Sequence, residues 1–255
     1  MILTYHEIVP KAVPYVYSVT RDAFAEQLAF VGGLSESAAP RITFDDGHAS
    51  HHRYGLPLLS RFGCKGIFFV TAGWTGVRSD YMDWSQLAEL AAEGHEVQAH
   101  GWSHKLLTAC SEAELAEELW SSRALLQERL GIPVDAMSLP GGRSNAAVLK
   151  ACAHAGYSRI YTSDPWMKTN RDGVECLGRF MVRRTTSTAD LGRLLEAENR
   201  PWHPLRLWHP AKRTVRALIG DRFYQHLWRK LGSWNERDHI AQEYVNEAAG
   251  RAGKP

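Results

Sequence analysis

The sequence predicts an α/β fold built from parallel strands that alternate with helices. Short apolar segments rich in β-branched and aromatic residues are separated by longer segments with apolar residues at helical spacing. Strands joined in this way pair in parallel through right-handed crossovers. The pattern therefore favours either an open doubly wound sheet or a closed or nearly closed barrel.

The strand segments are the short apolar runs Ile2–Tyr5, Arg41–Phe44, Gly66–Thr71, His95–Ala99, Val134–Leu139, Ser158–Thr162 and Cys176–Val182. The helical segments are about Arg21–Val31, His51–Phe62, Trp84–Ala92, Glu112–Leu130, Asn145–Ala155 and Thr188–Glu198. Two helices begin with a capping box, Asp83 with Gln86 and Ser111 with Glu114, in which two backbone donors are satisfied reciprocally. Glycines suited to a left-handed C-cap follow three helices, at Gly94, Gly131 and Gly156.

Length and composition predict a globular protein. The chain has 255 residues, 44% of them hydrophobic, and a formal net charge of +2. This length suits one large domain, or one domain plus an appendage. The near-balanced charge argues against a nucleic-acid partner held by phosphate neutralisation. No C-x-x-C pair is present, so we expect free thiols at the four cysteines, Cys64, Cys110, Cys152 and Cys176.

The charge is distributed unevenly along the chain. Residues 201–255 contain ten Lys+Arg against five Asp+Glu, a charge of +5 that leaves −3 for residues 1–200. Apolar residues recur at helical intervals in this tail, so it can pack on the domain, lie on an anionic membrane surface, or bind a partner. We predict a domain over residues 1–200 and a basic amphipathic helical C-terminal extension over residues 201–255.

The sequence also suggests a compartment. The first residues lack the features of a signal peptide, and no stretch approaches the roughly 18–20 apolar residues that span a bilayer. We therefore expect a cytoplasmic protein, with peripheral contact of the basic tail at the inner membrane surface.

Two adjacent carboxylates follow the second predicted strand, in Thr43-Phe44-Asp45-Asp46-Gly47. Adjacent side chains of a continuing strand point to opposite faces, so both reach one site only if the chain turns, which Gly47 permits. Taken alone, the pair fits a turn in which an Asp caps a helix equally well.

Two histidines follow the fourth predicted strand, in His100-Gly101-Trp102-Ser103-His104. Histidines four residues apart can bind one divalent metal while a carboxylate supplies a third ligand. Two surface histidines are the alternative. In a β/α barrel, however, the carboxyl ends of the strands form one face, which would bring these histidines near the Asp pair. The glycine motifs of nucleotide-binding proteins are absent.

These motifs resemble those of the polysaccharide deacetylases, the carbohydrate esterases that share the NodB homology domain. Thr43-Phe44-Asp45-Asp46-Gly47 is similar to the T-F-D-D-G motif of that family, and His100-x-x-x-His104 to its H-x-x-x-H motif. The resemblance covers about residues 1–200 and implies a distorted (β/α)7 barrel. It implies Asp45 as the general base and Asp46, His100 and His104 as ligands of a divalent metal, usually zinc.

The implied chemistry is amide hydrolysis. A metal with an open position lowers the pKa of bound water toward about 7 and polarises the carbonyl. If the metal neutralises one carboxylate, the other remains a free base that removes a proton from water. By the same resemblance, the backbone N–H of Gly141, after the fifth strand, stabilises the oxyanion.

Two family features are missing from this chain. The family's R-P-x-Y-G motif is replaced by Ser138-Leu139-Pro140-Gly141-Gly142, so the arginine that would pair with the catalytic Asp is absent there. The late motif that supplies a catalytic His is not visible in Arg179-Phe180-Met181-Val182-Arg183-Arg184, so the proton donor is unassigned. Arg183 or Arg184 can replace the missing arginine in orienting Asp45, or both can be exposed arginines of an edge strand.

Other residues near strand ends are candidates for substrate contact, each with a packing alternative. His6 can contact substrate or pack at the end of the first strand, and His48 can shuttle a proton or belong to a polar loop. Trp102 and Trp166 can stack on a sugar ring or close the core. The remaining candidates for substrate binding are Pro140, Asp164 and Arg183.

The sequence thus predicts a metal-dependent hydrolase that removes N-acetyl groups from an amino sugar. The substrate partner is an N-acetylated polysaccharide, oligosaccharide, or lipid- or nucleotide-linked precursor, in surface polysaccharide biosynthesis. The expected cofactor is Zn2+ or another divalent transition metal. The alternatives are a non-catalytic barrel that binds carbohydrate and a related hydrolase acting on a non-peptide C–N bond of a small molecule.

Overall fold

The computed structural model describes residues 1–171, 173–200, 202–204 and 206, and it has the predicted α/β architecture. The strands are β1 (Ile2–Tyr5), β2 (Glu7–Val9), β3 (Ser18–Thr20), β4 (Arg41–Phe44), β5 (Gly66–Val70), β6 (Glu96–Ala99), β7 (Ala136–Ser138), β8 (Arg159–Thr162), β9 (Lys168–Arg171), β10 (Val174–Gly178) and β11 (Phe180–Met181). The α-helices are α1 (Arg21–Gly32), α2 (Leu56–Arg61), α3 (Trp84–Ala92), α4 (Glu112–Ala116), α5 (Ser122–Leu130), α6 (Ala146–His154) and α7 (Thr188–Glu198).

One large sheet curls into a distorted barrel. Its nine strands follow the order β11-β1-β4-β5-β6-β7-β8-β10-β9, and every neighbouring pair is parallel except β10 with β9. β10 pairs with β8 and β11 pairs with β1 at the opposite end of the sheet, yet only Arg179 separates β10 from β11. The seventh predicted strand is therefore split in two and joins the ends of the sheet, which confirms the predicted barrel.

The pleat of the strands divides the apolar side chains between two cores. The smaller core lies on one face of the sheet and consists of Ile2, Ile67, Phe69, Ala136, Tyr161 and Leu177. Their neighbours along the same strands belong to the larger core, which includes residues of the surrounding helices. The alternation holds the sheet between two packed faces, as expected for a barrel with helices outside it.

Local helix signals are largely confirmed. Both predicted capping boxes are formed, and the bounds of α3 and α7 agree with the predicted segments. The glycines at the three predicted C-caps have positive φ, at Gly94, Gly131 and Gly156. Two predicted helices are not regular, because π-helical turns occupy His51–Gly55 and Glu117–Ser121. The short strands β2, β3 and β9 were not predicted.

Two other expectations concern composition and the tail. The four cysteines are free, as predicted. Across the part of the chain that the structure describes, no helix is long and apolar enough to cross a membrane. The extension predicted over residues 201–255 lies outside the described residues, apart from 202–204 and 206.

Gly178 lies directly before Arg179, where the barrel closes, and we predict that a larger residue there would clash with the neighbouring backbone. A β-carbon added at Gly178 would lie 1.6 Å from the backbone oxygen of Asp164, so the backbone must move to accept one. We expect Gly178→Ala to lower the free energy of unfolding in urea by more than about 3 kcal/mol. Gly63→Ala is the matched control because nothing lies within 4 Å of its added β-carbon, although its φ is +64°. Its cost should be limited to about 1–2 kcal/mol of backbone strain. Equal losses in the two variants would contradict the packing at the closure.

Candidate active site

Asp45 and Asp46 lie where the chain leaves β4 at its carboxyl end. Asp45 N–H donates to Tyr5 O over 2.9 Å, which continues the pairing of β4 with β1. Asp46 then adopts φ of 73° and Gly47 φ of 82°, so the strand ends in a sharp turn. This turn at Asp46 and Gly47 lets the adjacent carboxylates of Asp45 and Asp46 lie in one site.

His100 and His104 converge on Asp46, as the metal-site prediction requires. Nε2 of each histidine lies 3.2 Å from Asp46 Oδ1, and one ligand atom of each of the three residues lies within 4.8 Å of the others. Asp46 Oδ1 is buried and accepts no well-formed hydrogen bond from the residues that the structure describes. Two imidazole nitrogens and a carboxylate oxygen are ligands that zinc prefers, so this set fits a divalent transition metal.

The surroundings orient both histidines. His100 Nδ1 donates to Ser138 O over 2.8 Å, so Nε2 is the ring nitrogen that faces Asp46 and can bind a metal. His104 has φ of 63° and lies against Trp74, with ring centroids 5.5 Å apart. Among the described residues, the non-glycine residues with positive φ are Asp46 and His104 alone. Backbone strain is thus concentrated in the three-residue cluster, a pattern typical of functional sites.

Charge around Asp46 favours its ionised form. Burial raises the pKa of Asp46, but the adjoining His100 and His104 outweigh burial and bring the pKa well below its usual range. Burial likewise lowers the pKa of His100, whereas Asp45 and Asp46 outweigh it and raise that pKa. The cluster therefore attracts positive charge, which a metal ion would also supply.

Asp45 is held by Arg179, whose guanidinium extends from the break between β10 and β11. Arg179 Nη1 donates to Asp45 Oδ1 and Nη2 to Oδ2, each over 2.7 Å. Ser138 Oγ donates to Asp45 Oδ2 over 3.2 Å and accepts from Arg179 Nη2 over 2.7 Å. Burial raises the pKa of Asp45, but the charge and hydrogen bonds of Arg179, together with His100 and His6, outweigh burial and lower that pKa. Asp45 is therefore ionised and fixed in orientation.

Of the two alternatives for Arg183 and Arg184, the structure supports exposed arginines and contradicts a role in orienting Asp45. Both residues are exposed beyond β11, and Arg184 Nη1 instead donates to Pro14 O over 3.0 Å. Arg179 contacts Asp45 because its fully buried side chain starts at the barrel closure. The sequence did contain a signal for this role, because Arg179 is the single charged residue in the apolar segment Cys176–Val182. An arginine in a buried strand is rarely found without a charged partner.

The histidines near the site have mixed surroundings. His6 is buried and stacks on Tyr17 with ring centroids 5.0 Å apart, while its Nδ1 has no hydrogen-bond partner among the described residues. Burial lowers the pKa of His6, although Asp46 and Asp45 oppose the shift, so its imidazole is neutral at pH 7. His48 Nδ1 lies 2.8 Å from Ser50 Oγ, which fits the polar-loop alternative.

The remaining predicted residues lie after strands at the same end of the barrel. Gly141 has φ of 65° and lies in a 3-10 turn with Pro140 directly after β7. Trp102 and Trp166 pack against the larger core, as their packing alternative predicts, and the guanidinium of Arg206 lies 5.3 Å from the Trp166 ring centroid. The Asp164 carboxylate accepts a hydrogen bond from the backbone N–H of Trp166 over 3.4 Å.

Several residues that shape the site have little or no signal in the local sequence pattern. Trp74 and Tyr81 follow β5 and contact each other, with ring centroids 4.7 Å apart. Glu118 is buried in the π-helical turn and accepts hydrogen bonds from the segment between His100 and His104. A position after a strand is the available signal for Trp74, whereas Glu118 has none in the local pattern.

Comparison with known proteins agrees with this geometry. Residues 37–160 match the family model described as polysaccharide deacetylase. A chitin deacetylase of Pestalotiopsis sp is 32% identical over 119 residues, which cover 47% of this chain and 39% of that protein. A chitooligosaccharide deacetylase of Bradyrhizobium sp. is 28% identical over 148 residues, covering 56% of this chain and 65% of that protein. The chain spans about half the length of the first curated relatives it matches.

Solved structures show the same fold. The deacetylase PplD of Streptococcus pyogenes has a TM-score of 0.67 at 22% identity, covering 76% of this chain and 96% of that one. IcaB from Ammonifex degensii has a TM-score of 0.62 at 25% identity, covering 77% and 96%. The resemblance that the two motifs predict is therefore confirmed.

The buried ion pair can be tested by a double-mutant cycle. Arg179→Met leaves Asp45 buried without its countercharge and should lower the free energy of unfolding by about 3–5 kcal/mol. Asp45→Asn leaves Arg179 unpaired and should also destabilise the protein. In the double variant the combined loss should be smaller than the sum by at least about 2 kcal/mol, measured by urea unfolding with a chelator present.

The exposed Arg183 supplies the control for the cycle. Arg183→Met should change stability by less than about 0.5 kcal/mol, because surface substitutions rarely do more. Additive losses for Arg179→Met and Asp45→Asn would contradict direct pairing of the two side chains.

Proposed function

We propose that this chain, which is similar to the polysaccharide deacetylases over residues 37–160, hydrolyses the N-acetyl group of an amino sugar. In this proposal Asp46, His100 and His104 hold a divalent metal and Asp45 is the general base. The observation that carries the proposal is the juxtaposition of a buried, ionised Asp45 with three convergent metal-ligand side chains. Base and ligands come from the ends of β4 and β6, at the carboxyl end of the barrel.

Different residues of the site bind the metal, accept the proton and orient the base. A divalent metal bound at Asp46, His100 and His104 would polarise the acetamide carbonyl and favour deprotonation of water. Among the described residues, Asp45 Oδ1 accepts one hydrogen bond, from Arg179, so a lone pair remains to take the proton from the attacking water. The hydrogen bonds from Arg179 and Ser138 restrict rotation of the carboxylate and so fix the orientation of the base.

The leaving amine then needs a proton. Asp45 has received one from water and can return it to the nitrogen as the C–N bond breaks, giving acetate and a free amino sugar. Burial keeps His6 neutral, so His6 suits a hydrogen bond to substrate better than proton donation. We assign Gly141 N–H as a donor to the oxyanion because its turn directly follows β7 at the same end of the barrel.

The substrate class follows from the relatives. The names of two curated relatives specify chitin and chitooligosaccharides, which are chains of N-acetylated amino sugars. We propose such an N-acetylated oligosaccharide or polysaccharide, or its lipid- or nucleotide-linked precursor, as the substrate. The complete base and ligand set favours this enzyme over a non-catalytic carbohydrate-binding barrel.

Substitutions in the site should separate metal binding from chemistry. Asp45→Asn should lower acetate release from chitooligosaccharides by about 10²–10⁴-fold in the protein that remains folded, because the base is lost. It should retain the metal, since Asp46, His100 and His104 are unchanged. Asp46→Ala and His100→Ala should lose both metal and activity. Metal content after dialysis and enzymatic acetate assays measure the two effects.

His154 provides a matched control, because it is an exposed histidine on α6. His154→Ala should keep both metal and activity. Wild-type protein that retains metal yet releases no acetate from N-acetylated oligosaccharides would favour the carbohydrate-binding alternative. A metal-dependent reaction on a small-molecule amide alone would favour the related-hydrolase alternative.

We further propose that the protein works in the cytoplasm and that residues 201–255 contact the inner membrane surface. The charge of +5 in this segment supports attraction to anionic lipid. The full chain should bind vesicles that contain phosphatidylglycerol but not neutral phosphatidylcholine vesicles, and added salt should weaken binding.

Charge reversal tests the contact directly. Replacing Arg213, Arg216 and Arg222 by Glu should weaken vesicle binding at least about tenfold, since each basic residue near the surface contributes about 1 kcal/mol. The wild-type protein failing to sediment with anionic vesicles would refute the membrane contact and leave the deacetylase proposal intact.

A further inference from the structure

A buried carboxylate lies behind the segment that carries the two histidines. Glu118 is 2% exposed and belongs to the π-helical turn Glu117–Ser121 between α4 and α5. Its Oε2 accepts from the backbone N–H of Trp102 over 2.9 Å and of Ser103 over 3.0 Å, and its Oε1 accepts from Ser103 Oγ. One side chain thus satisfies three donors of the segment His100–His104, all of which lie between the histidines.

The opposite edge of the same segment pairs with the backbone of the turn after β5. Ala72 N–H donates to Gly101 O over 3.0 Å, and Gly73 N–H donates to Trp102 O over 2.9 Å. A β-carbon at Gly73 would lie 2.7 Å from Trp102 O, and one at Gly101 would lie 2.9 Å from Glu118 Oε2. The segment therefore packs between the turn after β5 and the Glu118 side chain. Glycine lies at both tight contacts, Gly73 against Trp102 O and Gly101 against Glu118 Oε2.

The two histidines differ in how they are fixed. His100 directly follows β6, and its N–H pairs with Val70 O over 2.8 Å while Nδ1 donates to Ser138 O. His104 comes four residues later in the left-handed region, at φ of 63°, after Gly101 at φ of 82°. Left-handed backbone at a non-glycine residue costs about 1–2 kcal/mol, so the segment needs other contacts to hold it.

We propose that Glu118 is a positioning residue of the metal site. Its carboxylate holds the Trp102 and Ser103 amides so that His104 Nε2 meets Asp46 Oδ1 at the same point as His100 Nε2. The proposal rests on the proposed metal-dependent function, and Glu118 acts on the metal through His104 without touching it. The π-helical turn, typical of functional sites, buries both Glu118 and Leu119 and so aims the carboxylate inward.

The test compares zinc affinity in variants of the full chain. Glu118→Gln keeps the size of the side chain but replaces one acceptor oxygen by an NH2 donor, which opposes the donors of the segment. We expect its Kd for zinc, measured by calorimetric titration of the metal-free protein, to rise about 10–100-fold. Glu117→Gln removes the same charge from the exposed neighbouring position and should leave the Kd unchanged.

A second readout reports on the segment before metal binds. In metal-free Glu118→Gln, the amides of residues 102–104 should exchange hydrogen faster than in the wild type, while those of β4 and β5 stay protected. Saturating zinc should restore acetate release with unchanged KM, because the defect lies in metal occupancy. A catalytic role would leave kcat low at saturating zinc.

Ser103→Ala provides a milder variant if Glu118→Gln does not fold. It removes the hydroxyl donor and keeps both backbone contacts, so a smaller rise in Kd in the same direction is expected. Unchanged zinc affinity in Glu118→Gln, or in Ser103→Ala should Glu118→Gln not fold, would overturn the positioning role while leaving the proposed function standing. A wild-type protein that binds no zinc or other divalent metal would instead overturn the proposed metal-dependent function.

Discussion

The paired charges of Arg179 and Asp45 are the interaction on which the site depends. Both side chains are almost completely buried, and removing two charges from water is costly unless the pair is well satisfied. Here the contact is bidentate, Ser138 adds a further hydrogen bond, and the guanidinium lies 5.3 Å from the Phe69 ring centroid and 5.8 Å from that of Tyr161. Arg179 also lies between β10 and β11, where the last predicted strand joins the two ends of the sheet. The closure of the barrel therefore places the guanidinium that orients Asp45.

The same constraint gives two adjacent carboxylates different chemistry. Asp45 faces the permanent charge of Arg179, which keeps it ionised without a metal. Asp46 faces two imidazoles, neither of which carries a permanent charge, and its Oδ1 is left without a well-formed hydrogen bond. A cation is therefore favoured beside Asp46 and disfavoured beside Asp45, where a positive charge already lies. Asp45 and Asp46 are neighbours in the chain, but Arg179 makes the first suited to act as a base and the two histidines make the second suited to bind a metal.

Much of this organisation could be predicted from the sequence because it depends on local pattern. The strand segments and the capping boxes at Asp83 and Ser111 follow from short-range spacing. The grouping of Asp46, His100 and His104 was implied by the resemblance of two short motifs to those of the polysaccharide deacetylases. Arg179 could not be paired with Asp45 from the sequence, since their contact spans 134 positions and requires the strand to break. Glu118 escaped notice for a similar reason, because an irregular turn rather than helical periodicity buries it.

A structure of the protein loaded with zinc would show whether Asp45 and Asp46 have separate roles. We expect zinc within about 2.0–2.2 Å of Asp46, His100 and His104, with Asp45 outside ligand distance and still bidentate with Arg179. Zinc bound by Asp45, with Arg179 displaced from it, would contradict this division between base and metal ligand.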